Sequence, residues 1–140
     1  MILILSSIST YTLFKENYSE RNQKPIEYLK ENVQEGDMFV YNFAGNGFVM
    51  TAYFDTNTHI FYNPENWGVE EAYKAFGDNF KISVDESFLE ECKGRIWIID
   101  NQNKDVYNKL FNNAEYTLIS EKFFETDYEN YDYNMILVEK

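Results

Sequence analysis

DMFVYNFAGNGFVMTAYF, residues 37–54, is the stretch on which the fold turns. DMFVYNF (37–43) has apolar residues at consecutive positions, so a strand here is covered on both faces. That is the pattern of a central strand with a layer on each side of its sheet. AGNG (44–47) reads as a loop, and FVMTAYF (48–54) as a short buried helix. Strand, loop and helix in this order open an alternating β/α chain.

Working outward, PIEYLKENV (25–33) places Ile26, Leu29 and Val33 on one helical face, with Pro25 in the first turn and Gly36 as the stop. Downstream, HIFYN (59–63) reads as a strand, and NPENWG (63–68) is rich in turn formers. GVEEAYKAFG (68–77) spaces Val69, Ala72, Tyr73 and Phe76 as a helix. FKISV (80–84) reads as a short or edge strand. Asp85 caps SFLEECK (87–93), a helix that buries Phe88, Leu89 and Cys92. RIWIID (95–100) is a second strongly apolar strand, and NKDVYNKLFNN (103–113) a helix. YTLISEKFF and YNMILVEK, joined by the acidic turn ETDYENYD, close the chain as an antiparallel hairpin. The expected fold class is α/β: a Rossmann-like three-layer sandwich whose mainly parallel sheet ends in that hairpin.

The bulk properties narrow the function. A chain of 140 residues with 44% apolar and 19% aromatic residues fits one domain with a real core. Its formal net charge of −12 offers no basic patch for phosphates, so nucleic acid is not an expected partner. Cys92 is the only cysteine and His59 the only histidine, which excludes an internal disulfide and leaves a zinc site almost nothing to build with. No cofactor is implied. Gly45-Asn46-Gly47 follows the first strand, where a dinucleotide fold cradles a phosphate, but Met50 stands where that fingerprint needs its third glycine. A tight turn is the plainer reading. Asp-x-Asp, a common metal grip of soluble sugar transferases, does not occur.

Candidate ligand-binding residues come from position. An open α/β sheet binds ligands beyond the carboxyl ends of its strands. Asn42 and Asp100 lie at two such ends, with Asn46 and Asn101 beside them. They suit a small polar ligand, and they equally suit the capping of strand-to-helix turns. Trp67 and the tyrosines Tyr128, Tyr131 and Tyr133 offer flat apolar faces with a polar edge, suited to sugars or peptides or to covering a sheet edge. The helical carboxylate pairs read as solvated faces, His59 as structural, and Cys92 as an inert core thiol. No residue is assigned a catalytic role and none a metal.

The N-terminal MILILSSISTYTLFK has no basic start and no Ala-x-Ala site, unlike a secretory signal. Residues 1–14 as a helix span about 21 Å, short of a hydrocarbon core of about 30 Å. With Tyr11 and Phe14 ahead of Lys15, the stretch reads as the outer stump of a transmembrane helix. Residues 1–18 are therefore expected to be stump and linker, and 19–140 a single α/β domain.

The order of these segments resembles the C-terminal extracytoplasmic domain of multi-spanning, lipid-phosphate-sugar-dependent glycosyltransferases, the relatives of protein mannosyltransferases and aminoarabinose transferases of lipid A. The carriers are PIEYLKENVQEGD (25–37), DMFVYNF, FVMTAYF, GRIWIID (94–100) and YNMILVEK, with the apolar start ahead of them. The resemblance implies a non-catalytic accessory domain, membrane-anchored in the full-length protein and lying on its extracytoplasmic side. Its partner would be the membrane portion of the same polypeptide, with a glycan, lipid-linked sugar or peptide acceptor as ligand. Two other readings remain open: a free-standing Rossmann- or flavodoxin-like small-ligand module, and a glycan or peptide interaction domain.

Overall fold

The computed structural model describes residues 23–74, 78–125 and 132–140. The N-terminal stretch to residue 22, with its expected membrane stump, lies outside them. Among the described residues no helix is long and apolar enough to cross a membrane. The chain divides into two units at Val33/Gln34. In the first, residues 23–32 form helix α1, which buries Pro25, Ile26 and Leu29 and exposes Lys24, Glu27 and Lys30.

The second unit is a six-stranded α/β sheet. Turn Gln34–Asp37 leads into it, with the Asp37 N–H donating to the Gln34 carbonyl at 3.1 Å. Gly36 sits at φ +88°, the left-handed value that the third position of a type II turn requires. The elements that follow are β1 (Met38–Tyr41), α2 (Ala44–Tyr53), β2 (Thr58–Tyr62), α3 (Glu70–Tyr73) and β3 (Phe80–Ser83). After them come a 3-10 turn (Glu86–Glu90), β4 (Arg95–Asp100), a π-type turn (Tyr107–Phe111), β5 (Thr117–Phe124) and β6 (Tyr133–Glu139). The sheet order is β3-β2-β1-β4-β6-β5. β1, β2, β3 and β4 run parallel, and β6 lies antiparallel between β4 and β5. This is the expected Rossmann-like arrangement with a closing hairpin.

The alternation of side chains builds two packed layers on the sheet. Val40, Ile60, Ile96, Ile98, Ile136 and Val138 face one side, where Phe88 and Cys92 of the segment before β4, Val106, and Leu110 and Phe111 of the π-type turn cover them. Phe39, Tyr41 and Trp97 face the other. There Phe54, at the end of α2, stacks on Phe39 with ring centroids 5.3 Å apart. β1 is buried at all four positions, as its unbroken apolar run requires.

Three local expectations are corrected. AGNG is not a loop; it forms the first turn of α2, which begins directly after Phe43. FVMTAYF is only half buried: Met50, Thr51 and Phe54 turn inward while Ala52 and Tyr53 face solvent. The segments around Phe88 and Leu110 are a 3-10 and a π-type turn, each five residues long, not α-helices. Short connectors with apolar residues at helical spacing settle into these geometries when they must bury two or three side chains in a single turn. Asp85 does cap as expected, accepting from the Ser87 N–H at 2.9 Å. Of the helix expected over 68–77, one turn falls within the described residues.

Candidate functional site

From β1 the chain moves outward to β2 and β3, then returns to β4 on the other side of β1. The gap beyond the carboxyl ends of β1 and β4 is the switch point at which open α/β sheets bind ligands. Tyr41 pairs with Phe61 on one side and Ile99 on the other, so one residue further on Asn42 stands level with Tyr62 and Asp100. Asp100 in turn pairs with Asn134 of β6. A polar row, Tyr62–Asn42–Asp100–Asn134, thus crosses four strands on one face.

Of the four residues singled out at these strand ends, Asn42 and Asp100 are in direct contact. The Asn42 side-chain amide donates to Asp100 Oδ1 at 2.8 Å. Asp100 also accepts the Asn101 N–H at 2.8 Å and, on Oδ2, the Tyr107 N–H at 2.8 Å. It therefore holds the chain that leaves β4, so the capping reading of this residue is realised. Burial lifts its carboxyl to about 6, against the pull of the Tyr107 and Asn101 N–H donors. Two amide oxygens beside it, Asn42 Oδ1 and Asn134 Oδ1, are buried with no hydrogen-bond partner among the described residues.

A cleft of about 340 Å³ opens over the same strand ends. Asn42, Phe43 and Ala44 form one side, and Phe61 to Glu65 with Trp67 and Val69 form another. Asp105, Val106 and Lys109 complete it. Its rim is held by one asparagine. Asn63 Nδ2 donates to the Trp67 carbonyl at 2.9 Å, and Asn63 Oδ1 accepts the Trp67 N–H at 3.0 Å. Asn66 takes the left-handed conformation inside this turn, at φ +54°. Trp67 is left 63% exposed, with its indole N–H donating to Glu65 Oε2 at 2.6 Å. Lys109 Nζ donates to the Tyr62 hydroxyl at 2.8 Å and pairs with Glu86 at 3.2 Å. Those two bonds, the hydroxyl first, hold its ammonium above the usual lysine range.

Asn42 and Trp67 therefore line the cleft, and Asp100 lies behind Asn42. Asn46 does not line it: its side chain is buried in the first turn of α2. Tyr131 and Tyr128 fall outside the described residues, and Tyr133 is buried in β6. Sequence reading missed Asn134, although YNMILV carries a visible signal. Asn134 shares the parity of Ile136 and Val138, so it is a polar residue on a core face. It also missed Asp105 and Lys109, four residues apart on the segment after β4.

Other reactive groups are structural. His59 Nε2 lies 2.6 Å from the Phe54 carbonyl, an acceptor only, so Nε2 carries the proton and Nδ1 accepts from the Tyr41 hydroxyl at 2.6 Å. Burial holds its pKa below the ordinary value. Cys92 is buried and its thiol is pushed up to about 11, a core thiol. Among the described residues no group of three or more His, Cys, Asp or Glu is placed to hold a metal ion. The glycine motif is no phosphate cradle either, since a Cβ on Gly45 would lie 2.7 Å from the Phe43 ring.

No protein-family model matches the chain, and no curated protein matches it. Among solved structures, a Streptococcus pneumoniae protein assigned as a tRNA methyltransferase, in complex with S-adenosyl-L-methionine, is similar at TM-score 0.48 and 12% identity. The match covers 83% of this chain and 72% of that one. A dihydrofolate reductase of Enterococcus faecalis, complexed with NADP(H), is similar at TM-score 0.28 and 11% identity, over 84% of this chain and 81% of that one.

Proposed function

We propose that this chain is a ligand-recognition domain, not catalytic alone, whose switch-point cleft takes a small hydroxyl-rich molecule of the sugar class. The observation that carries this is Trp67: a largely exposed indole, fixed at the rim by Asn63 and Glu65, beside the amide of Asn42. Sugars present an apolar face to an aromatic ring and hydroxyls to amides and carboxylates around it. The resemblance to extracytoplasmic domains of lipid-phosphate-sugar-dependent glycosyltransferases points the same way. In that setting the domain would sit beside the membrane portion of its own polypeptide and help receive the sugar or its acceptor.

Titration with monosaccharides, read by tryptophan fluorescence, tests the reading. Trp67 and Trp97 are the only two tryptophans, and only Trp67 is exposed. Saturable quenching that disappears in Trp67→Ala is expected. Absence of binding by any sugar down to millimolar affinity would remove the proposal.

The position of the cleft at the switch point also favours a second reading, a module for a nucleotide or flavin. Against it stand the Phe43 ring over Gly45 and the acidic charge of the chain. A thermal shift with nucleotides or flavins, and none with sugars, would reverse the order of the two readings.

A further inference from the structure

One carboxylate ties together two sides of the cleft. Asp100 Oδ1 accepts from the Asn42 side-chain amide at 2.8 Å and from the Asn101 N–H at 2.8 Å. Asp100 Oδ2 accepts the Tyr107 N–H at 2.8 Å. Asn42 belongs to the wall that continues into Phe43 and Ala44, and Tyr107 stands between Val106 and Lys109 of another wall. The acid form of Asp100 also has a place for its proton. Asn134 is its cross-strand partner in β6, and Asn134 Oδ1 is buried with no hydrogen-bond partner among the described residues. Two N–H donors already occupy Asp100 Oδ1, so the proton belongs on Oδ2, the oxygen that holds Tyr107. A neutral hydroxyl oxygen accepts more weakly than a carboxylate, whose charge-assisted bonds are about twice as strong.

We propose that Asp100 is a proton-operated latch on the cleft. As a carboxylate it ties the Asn42 wall to the Tyr107 wall; as an acid it turns its O–H toward Asn134 and loosens its hold on Tyr107. Burial places the change at about pH 6, within the mildly acidic range. The neighbours from β1 and β6 are the uncharged Asn42 and Asn134, with Asp132 buried two residues ahead of Asn134. On the segment after β4, Asp105 pushes the carboxyl further up. Lys104 is paired there with Glu121 of β5 at 3.1 Å, and Lys109 with Glu86 at 3.2 Å. The acid form is the more stable one overall, because burial then opposes no charge, and what it loses is local to Tyr107. The latch does not depend on which molecule the cleft takes.

Hydrogen exchange of the full chain, followed by NMR at pH 5 and pH 7.5 and corrected for the intrinsic rate at each, tests the latch. The Tyr107 N–H is expected to be about tenfold less protected at pH 5. Ile98, in the middle of β4, should lose no protection. The side-chain amide signals of Asn42 and Asn134 should move with a midpoint near pH 6. Asp100→Asn, whose amide can donate to Asn134 as the acid does, should leave Tyr107 poorly protected at both pH values. Equal protection of Tyr107 in the parent at pH 5 and pH 7.5 overturns the latch. A pH dependence that persists in Asp100→Asn also overturns it, because another group, such as His59, is then its source.

Discussion

The indole N–H of Trp97 donates to Asp37 Oδ2 at 2.8 Å, joining the fourth strand to the turn that enters the first. Arg95 approaches the same carboxylate from Nε at 3.0 Å and Nη2 at 3.3 Å, and the Gln34 N–H adds a bond at 3.0 Å. Asp37 belongs to the Glu-Gly-Asp segment and Arg95 and Trp97 to Gly-Arg-Ile-Trp. Together they clamp β1 to β4, the pair of strands that forms the switch point.

Removing the carboxylate should loosen the whole sheet. Asp37→Ala takes the acceptor from four N–H groups on three residues, one of them the Arg95 guanidinium, a loss of about 3 kcal/mol. Trp97→Phe gives up that hydrogen bond and part of a fully buried ring, about 2 kcal/mol. Urea denaturation of the two variants should rank them in that order. An Asp37→Ala variant as stable as the parent would mean that the clamp contributes nothing.

Asp100 gives the stability of the protein a dependence on pH. Its folded pKa of about 6 lies above the ordinary aspartate value of 3.8. The contribution to stability is thus fully present below 3.8 and is lost as pH rises through about 6. Between pH 7 and pH 5 the parent should gain about 1.3 kcal/mol relative to Asp100→Asn, which cannot take up the proton. Chemical denaturation of both proteins at the two pH values checks it. A constant gap would show a carboxyl with an ordinary pKa.

His59 works in the opposite sense. Burial depresses its pKa, so its stabilising contribution is present above the unfolded value of 6.5 and is lost as pH falls through the folded one. Tyr41→Phe deprives Nδ1 of its donor and should cost about 1–2 kcal/mol. Nitrogen NMR of the imidazole should find the proton on Nε2 in the parent at neutral pH. The Nδ1–H tautomer would contradict the bond to the Phe54 carbonyl.

How far the fold was readable follows from where the chain repeats a period. Consecutive apolar positions in 38–41 and 95–100 marked the two central strands, and the alternation in FKISV marked an edge strand, because a sheet imposes its period of two on any buried residue. The insertion of β6 between β4 and β5 left no such trace. Strand order depends on contacts between segments distant in sequence, and YNMILV suits any covered position equally well. The site divides the same way. Asn42 and Asp100 were legible because strand ends are local features. The Tyr62–Lys109 bond joins residues 47 apart, and Asn63 looks like an ordinary turn residue until its amide is seen holding Trp67.

Gly45 tests whether the cleft can be altered without harm to the fold. A Cβ there would meet the Phe43 ring, at 2.7 Å from Cε1 and 3.3 Å from Cζ, and no other side chain or backbone atom is among its nearest neighbours. Phe43 is 38% exposed and lines the cleft, so its ring is the group that must shift to admit the methyl. Alanine also favours the helical conformation over glycine by up to about 1 kcal/mol. Gly45→Ala should therefore leave the urea midpoint unchanged or slightly raised, while the displaced ring changes sugar affinity several-fold. A marked loss of stability instead would mean that Phe43 is held in place, and that this wall of the cleft is part of the core.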